Sequence, residues 1–197
     1  MRTQLLPALR LTVVCIVFFC GVYSLFIWLI AQAAPAHGLG ETVSVNGKVV
    51  GFALEGQSFT QDKYFWGRPS AVGYNAAGSA GSNKGPSNPD YLKDVQTRID
   101  SFLVHNPGVK KENIPSELVT YSGGGLDPDL SPEGAKIQVK RIAAVRGLKE
   151  EKIDELIDKL TERPLLGIFG PSKVNVLKLN IALDNLSNAG RRNHNEQ

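Results

Sequence analysis

A glycine run near the middle of the chain has the composition of a phosphate-binding loop. Ser122 is followed by glycines at residues 123–125, and a P-loop requires Lys and then Ser or Thr directly after its last glycine. Leu126 and Asp127 stand at those two positions, so the required cation and hydroxyl are missing. We expect the glycines to supply a backbone turn with positive φ, and nucleotide binding remains the alternative.

Oxygen-bearing side chains alternate along the next segment in the manner of a calcium loop. They are Asp127, Asp129, Ser131 and Glu133. Pro128 and Pro132 interrupt that pattern, which also lacks the glycine at the turn position and the glutamate at the end that a calcium loop needs. An acidic first turn of a helix, stabilised by the helix dipole, explains these residues better. The sequence therefore predicts no metal site here.

The remaining polar residues do not form a recognisable catalytic pattern. His37, His105 and His194 are scattered, and none has a cysteine or a second histidine at zinc-ligand spacing. The G-x-S-x-G signature of serine hydrolases is absent, and the net charge of +3 comes without a basic stripe for nucleic acid. We therefore predict neither an independent enzyme nor a nucleic-acid-binding protein.

Three adjacent aromatic residues form the most unusual cluster of the chain. Tyr64, Phe65 and Trp66 cannot all point into one core, and Arg68 follows two residues later. Aromatic residues and arginine are enriched at the energetic centres of protein interfaces. We predict that these residues meet a partner or brace the neighbouring loop, and ordinary core packing followed by a turn is the alternative.

The elements that position these residues begin with a membrane span. Residues 11–31 carry no charge, include thirteen Leu, Ile, Val or Phe residues, and would form a helix about 31 Å long, the thickness of a bilayer core. Inserting those side chains gains at most about 4–8 kcal/mol. The chain is therefore expected to be anchored in membrane lipid, in the bacterial plasma (inner) membrane.

The charges that flank the span predict its orientation. Arg2 and Arg10 precede the span, and the next basic residue is Lys48, so the N-terminus should be cytoplasmic and the domain extracytoplasmic. Ala31-Gln32-Ala33 also has the small-x-small form of a signal-peptide cleavage site, although the apolar run is longer than a signal needs. Both readings place the domain outside the cytoplasm.

The sequence predicts one mixed α+β domain after the membrane span. We expect a cytoplasmic segment over residues 1–10, a single transmembrane helix over 11–34, the domain over 35–187 and a polar tail over 188–197. Within the domain, the patterns predict a hairpin over 42–54 with an Asn46-Gly47 turn and an irregular loop over 67–89. Helices are expected from Asn88, from Ser131 to Gly147 and over about 149–161, followed by a strand to about residue 177 and a short helix. Helices and strands in segregated order predict the α+β class.

The sequence also carries a specific resemblance to a known family. The segments are YFWGRPS (64–70), YN (74–75), GSN (81–83), GP (85–86), NP (88–89), LVT (118–120), SGGGLDP (122–128), Gln138, RIA (141–143), RGL (146–148), VNVL (174–177), LN (179–180) and ALD (182–184). In this order they resemble the C subunit of the Kdp high-affinity potassium-transporting P-type ATPase, the KdpC family. Tyr121 and Gly124 depart from the residues usual there, and the tail after Leu186 matches nothing in the family.

The resemblance implies a set of partners and a role in ATP binding by one of them. It implies a channel-like potassium-translocating subunit, a P-type ATPase catalytic subunit and a small membrane subunit, so that ATP and potassium belong to the complex and this chain itself binds no cofactor. The family is described as a catalytic chaperone that raises the ATP affinity of the catalytic subunit, and Gln138 matches the glutamine linked to that nucleotide contact.

That role conflicts with the predicted orientation, because ATP is cytoplasmic and Gln138 would lie outside. We therefore expect a non-catalytic accessory subunit needed for assembly and stability of the complex. The residues expected at its interface are Tyr64, Phe65, Trp66, Arg68 and Asn83. The catalytic chaperone and a free-standing membrane-anchored binding module are the alternatives.

Overall fold

The computed structural model describes the backbone of residues 2–195 and the side chains of residues 4–188. These residues form two compact units, one up to Glu41 and one from Thr42 onward. The first is helical, and the second combines helices with two small antiparallel sheets, so the predicted α+β class is confirmed.

The first unit is one long apolar helix. Helix α1 (Arg2–Ile16) continues through a π-helical stretch (Val17–Tyr23) into α2 (Ser24–Ala33). The Ser24 hydroxyl donates to the Phe19 carbonyl, five residues earlier, at 3.0 Å, which fits the wider π turn. Among the described residues, the stretch Gln4–Ala33 is the one helix long and apolar enough to cross a bilayer, and none of its apolar window is buried.

The second unit opens with the predicted hairpin. Strand β1 (Thr42–Val45) pairs antiparallel with β2 (Lys48–Phe52), and Val45 faces Lys48 across the turn. Asn46 and Gly47 both have positive φ, 52° and 77°, as a type I′ turn requires. The Asn-Gly prediction is therefore confirmed, and one irregularity between Val43 and Ser44 shifts the register along the strand.

The next helix also begins where the sequence places it. Helix α3 (Pro89–His105) is capped by the Asn88 side chain, which accepts from the Tyr91 amide at 3.1 Å. The preceding segment, expected as an irregular loop over 67–89, contains one short 3₁₀ turn (Ala76–Gly78) and is otherwise irregular as far as Asn88.

The predicted helix from Ser131 to Gly147 is broken in two. Strand β3 (Asp129–Leu130) precedes α4 (Pro132–Lys136), and α5 (Val139–Arg146) follows after Gln138. The Gln138 side chain donates to the Gly134 carbonyl at 3.0 Å, where a continuous helix would place the Gln138 backbone amide. That amide bonds the Ala135 carbonyl instead, which tightens the turn and ends α4. Gly147, with φ of 65°, ends α5 as predicted.

The last third of the domain closes the core. Helix α6 (Glu150–Leu160) agrees with prediction, whereas strand β4 stops at Asn175 and α7 (Val176–Asn195) runs far beyond the expected short helix. The Asn175 side chain accepts from the Lys178 amide at 3.0 Å and thereby starts α7 early. The backbone of the segment expected as a polar tail is helical as far as Asn195, and its last two residues lie outside the described chain. The core side chains come from segments far apart in sequence and include Phe65, Ile142, Ile153, Ile157, Leu179 and Leu183.

Candidate functional site

The aromatic segment at residues 64–66 is held by two buried carboxamides, one in α7 and one directly before α5. Asn180 of α7 accepts from the Phe65 amide at 2.8 Å and donates to the Phe65 carbonyl at 3.0 Å. Gln138, before α5, accepts from the Trp66 amide at 2.9 Å and donates to the Trp66 carbonyl at 3.2 Å. A carboxamide offers a donor and an acceptor side by side. Each of these two side chains therefore bonds both the amide and the carbonyl of one residue, as a neighbouring β-strand would.

Gln138 is fully committed to this role. Its side chain is wholly buried, and its amide nitrogen also donates to the Gly134 carbonyl while its oxygen also accepts from Arg141 at 2.8 Å. Both of its donors and both acceptor positions are therefore used within the chain. A ligand reaches this carboxamide only if the 64–66 segment moves away from α5. The nucleotide contact implied by the resemblance stays a prediction that requires such an opening.

Arg141 completes the clamp from the same helix. Its guanidinium donates to Asn106 Oδ1 at 3.0 Å, to the Tyr64 carbonyl at 3.1 Å and to the Asp62 carbonyl, and it lies 4.4 Å from the centre of the Trp66 ring. The side chain is 2% exposed, and this burial lowers the pKa of the guanidinium to about 10, opposed by the nearby Asp62 carboxylate. The group therefore stays charged at neutral pH and fixes several carbonyls at once.

A second arginine holds the outer face of Tyr64. Arg146 Nη2 lies 2.8 Å from Asp184 Oδ1, and its guanidinium stands 5.0 Å from the centre of the Tyr64 ring. The Tyr64 hydroxyl donates to Asp184 Oδ2 at 3.1 Å. Burial, reinforced by the Asp184 carboxylate, raises the pKa of the Tyr64 phenol. The Tyr64 ring is thus held by Asp184 at its hydroxyl and by Arg146 over its face, while part of the ring remains at the surface.

The aromatic side chains divide between core and surface, as their adjacency predicted. Phe65 is wholly buried among the core residues, whereas Tyr64 and Trp66 are partly exposed. Trp66 stacks edge-on against His105, with ring centres 4.9 Å apart, and borders a cavity of about 410 Å³ between α3 and residues 58–74. Phe65 is therefore a core residue in this structure, and only its two neighbours offer surface to a partner.

Arg68 and Asn83 lie in the irregular loop that follows. Arg68 Nη1 forms an ion pair with Asp127 at 2.9 Å, and Nη2 donates to the Tyr121 carbonyl at 3.4 Å. These contacts match the loop-bracing alternative for Arg68. Asn83 is exposed and has a φ of 53°.

The glycine run forms a packing surface for this loop. The Ser122 amide donates to the Pro69 carbonyl at 3.1 Å, and the Ser79 hydroxyl donates to the Gly124 carbonyl at 2.8 Å. Gly125 has a φ of 71°, and a Cβ there would stand 2.6 Å from the Val72 side chain. The predicted positive-φ turn is confirmed, and the loop's close approach explains why glycine is needed.

The acidic residues after the run are used in local contacts. Asp127 accepts from the Asp129 amide at 3.0 Å, Asp129 pairs with Lys173 at 2.8 Å, and the Ser131 hydroxyl caps α4 by accepting from the Gly134 amide at 3.0 Å. Within the described part of the chain, no three His, Cys, Asp or Glu residues are grouped closely enough to hold a metal ion.

Sequence reasoning placed none of Arg141, Asn180 and Asn106 in the site, and it predicted for Asn106 only the end of α3, where it lies. The available signal was a polar residue on an otherwise apolar helix face, as where Asn180 lies four residues after Val176 and three before Leu183. Each of these side chains is at most 5% exposed, and a buried polar group must have a partner. The identity of that partner could not be predicted because it lies far along the chain.

Comparison with known proteins gives one consistent result. The sequence model of the family described as "KdpC: K+-transporting ATPase, c chain" matches residues 5–185. A protein of Bacteroides fragilis named potassium-transporting ATPase KdpC subunit is 55% identical over 187 residues, covering 93% of this chain and 98% of that protein. Proteins of the same name from Flavobacterium psychrophilum and Caldanaerobacter subterraneus are 59% and 45% identical. They cover 90% and 93% of this chain, and 96% and 95% of those proteins are covered in turn.

The family match extends from the apolar helix into α7 and is not confined to one motif. The chain therefore belongs to the KdpC family.

Proposed function

We propose that this chain is a non-catalytic accessory subunit of an ATP-driven potassium import complex, needed to assemble and stabilise its potassium-translocating and ATP-hydrolysing subunits. The observation that carries the proposal is the match over residues 5–185 to subunits named for a potassium-transporting ATPase. The one candidate span among the described residues supports it, since a lone helix with no Asp, Glu, Lys, Arg or His in residues 11–31 offers no ion pathway of its own.

The contacts of Gln138 favour assembly over the alternative role of raising ATP affinity. Every hydrogen-bonding group of this side chain is used within the chain, to bond the Trp66 backbone, the Gly134 carbonyl and Arg141. The positive residues before the span favour a cytoplasmic N-terminus, which separates the domain from cytoplasmic ATP. The structural role and the orientation thus support the same proposal independently.

Assembly is tested by expressing the complex with and without this chain. Without it, we expect at least about a tenfold loss of ATP-hydrolysing subunit copurified with an affinity-tagged potassium-translocating subunit in mild detergent, because a missing interface shifts association by mass action. The membrane content of each subunit is measured by immunoblot as the control. Equal copurification without the chain would refute the assembly role.

The orientation is tested with a single accessible thiol. Cys15 and Cys20 are replaced by serine, and Val104, which is 77% exposed on α3, is replaced by cysteine. We expect a membrane-impermeant thiol reagent to label intact cells whose outer membrane has been opened, to the same extent as lysed cells. Labelling only after lysis would place the domain in the cytoplasm and favour the ATP-affinity role instead.

A further inference from the structure

The connection between α6 and β4 exposes a contiguous apolar surface. Residues 164–171, here called the apolar loop, carry four large side chains whose exposed fractions are 71% for Leu165, 81% for Leu166, 76% for Ile168 and 60% for Phe169. Single exposed apolar residues are ordinary, whereas a contiguous patch of them marks an interaction site. None of these side chains is needed by the clamp around residues 64–66.

The backbone of the apolar loop is fixed by its own hydrogen bonds. Leu165 and Phe169 exchange both backbone bonds at 3.0 Å, and the Gly167 amide donates to the Pro164 carbonyl at 2.9 Å. At the base, the Glu162 and Lys173 backbones exchange bonds at 2.8 and 3.0 Å. Leu166 has a φ of 55°, a conformation that residues with a Cβ seldom adopt. The tip is therefore preformed, and a preformed element loses little conformational entropy when it binds.

The charges at the base distinguish a protein groove from a lipid surface. Surface segments that bind anionic membranes carry free Lys or Arg beside their apolar residues. Here Lys173 is paired with Asp129 at 2.8 Å and with Glu162 at 3.6 Å, and Arg163 follows Glu162 in the sequence, so the base carries two acidic and two basic side chains. The loop thus has apolar anchors with little net attraction for anionic headgroups, which favours an apolar protein groove.

We infer that the apolar loop docks Leu165, Leu166, Ile168 and Phe169 into an apolar groove of the potassium-translocating subunit. The inference rests on the proposed function, which makes that subunit a partner in the membrane. Its outer face would lie on the same side of the bilayer as the domain. A rigid group of aliphatic and aromatic anchors is the kind of surface that concentrates binding energy in an interface.

The test compares two aspartate variants at equally exposed apolar positions. Ile168→Asp places a charge in the loop, and Val104→Asp does so on α3, where the exposed fraction is 77% against 76% for Ile168. With the full chain coexpressed beside an affinity-tagged potassium-translocating subunit, we expect Ile168→Asp to lower copurification by about tenfold or more. Val104→Asp should stay within about twofold of the original chain, and both variants should keep its denaturation midpoint.

The outcomes separate this inference from the proposed function. If the unaltered chain does not copurify with the potassium-translocating subunit, the proposed function and the inference both fail. If the unaltered chain and Ile168→Asp copurify equally, the loop assignment is wrong while the accessory function stands. A photo-crosslinking amino acid in place of Leu166 should yield an adduct with the potassium-translocating subunit. An adduct only with lipid, or only with a second copy of this chain, would overturn the inference.

Discussion

Replacing Gln138 with leucine is expected to lower the free energy of unfolding by about 3–5 kcal/mol. The carboxamide is wholly buried and bonds the Trp66 amide and carbonyl, the Gly134 carbonyl and Arg141. Leucine is close in size but leaves all of these groups without their partner. Each buried polar group that loses its partner costs about 1–3 kcal/mol, and the charged guanidinium costs more than a neutral group.

The measurement is chemical denaturation of the full chain in mild detergent. Trp66 fluorescence reports the clamp directly once Trp28 in the apolar helix is replaced by phenylalanine. Gln96→Leu is the matched control, because Gln96 is exposed on α3 and its loss should change the free energy by no more than about 0.5–1 kcal/mol. Equal denaturation midpoints for the two variants would show that the Gln138 carboxamide does not hold the segment.

The same variant separates the two roles proposed for Gln138. If the side chain served only to contact nucleotide, Gln138→Leu would lower the ATP affinity of the assembled complex and leave the domain's stability unchanged. If it serves the clamp, the domain loses stability first, and any change in ATP affinity follows the amount of folded subunit in the complex. Measuring ATP affinity per folded complex distinguishes the two results.

Local sequence signals predicted the local parts of this fold. Asn46-Gly47 predicted the hairpin because only certain residues accept positive φ at both central positions of its turn. Asn88 predicted the start of α3 because its side chain replaces a missing helical acceptor, and Gly147 predicted the end of α5 because glycine accepts the left-handed conformation. Each of these signals acts within a few residues of the position that carries it.

The clamp could not be predicted in the same way because its partners are distant. Gln138 and Trp66 are 72 residues apart, and Asn180 and Phe65 are 115 residues apart. The apolar stripe along the sequence predicted one helix from Ser131 to Gly147. In the structure that helix is broken at Gln138, whose side chain bonds the Trp66 backbone. Long-range polar satisfaction overrode local periodicity at this point.

The exposure of the apolar loop over residues 164–171 could not be predicted from its composition. Leu165, Leu166, Ile168 and Phe169 have the composition of a buried strand, yet they are among the most exposed apolar residues of the domain. The composition of a segment indicates that its side chains favour an apolar environment, but it does not show whether the chain's own core or a partner provides that environment. Only the folded arrangement shows that the core is complete without these side chains.

Replacing Arg141 with methionine is expected to lower the free energy of unfolding by about 3–5 kcal/mol, because several buried acceptors lose their donor at about 1–3 kcal/mol each. Methionine fills much of the space but leaves Asn106 Oδ1 and the carbonyls of Asp62 and Tyr64 without this donor. Arg141→Lys should recover less than half of the loss, because one ammonium cannot reproduce the planar fork of the guanidinium.

Arg163→Met is the control for the Arg141 variants, because Arg163 is exposed and should change the free energy by about 0.5 kcal/mol or less. The three variants are compared by denaturation under the same conditions, together with the near-ultraviolet circular dichroism of Trp66 in the Trp28→Phe background. Since the guanidinium lies over the Trp66 ring, both Arg141 variants should change that signal before the domain unfolds. If Arg141→Lys were as stable as the original chain, a single charge would be sufficient at this position. The multiple carbonyl contacts would then not be what holds the aromatic segment against α5.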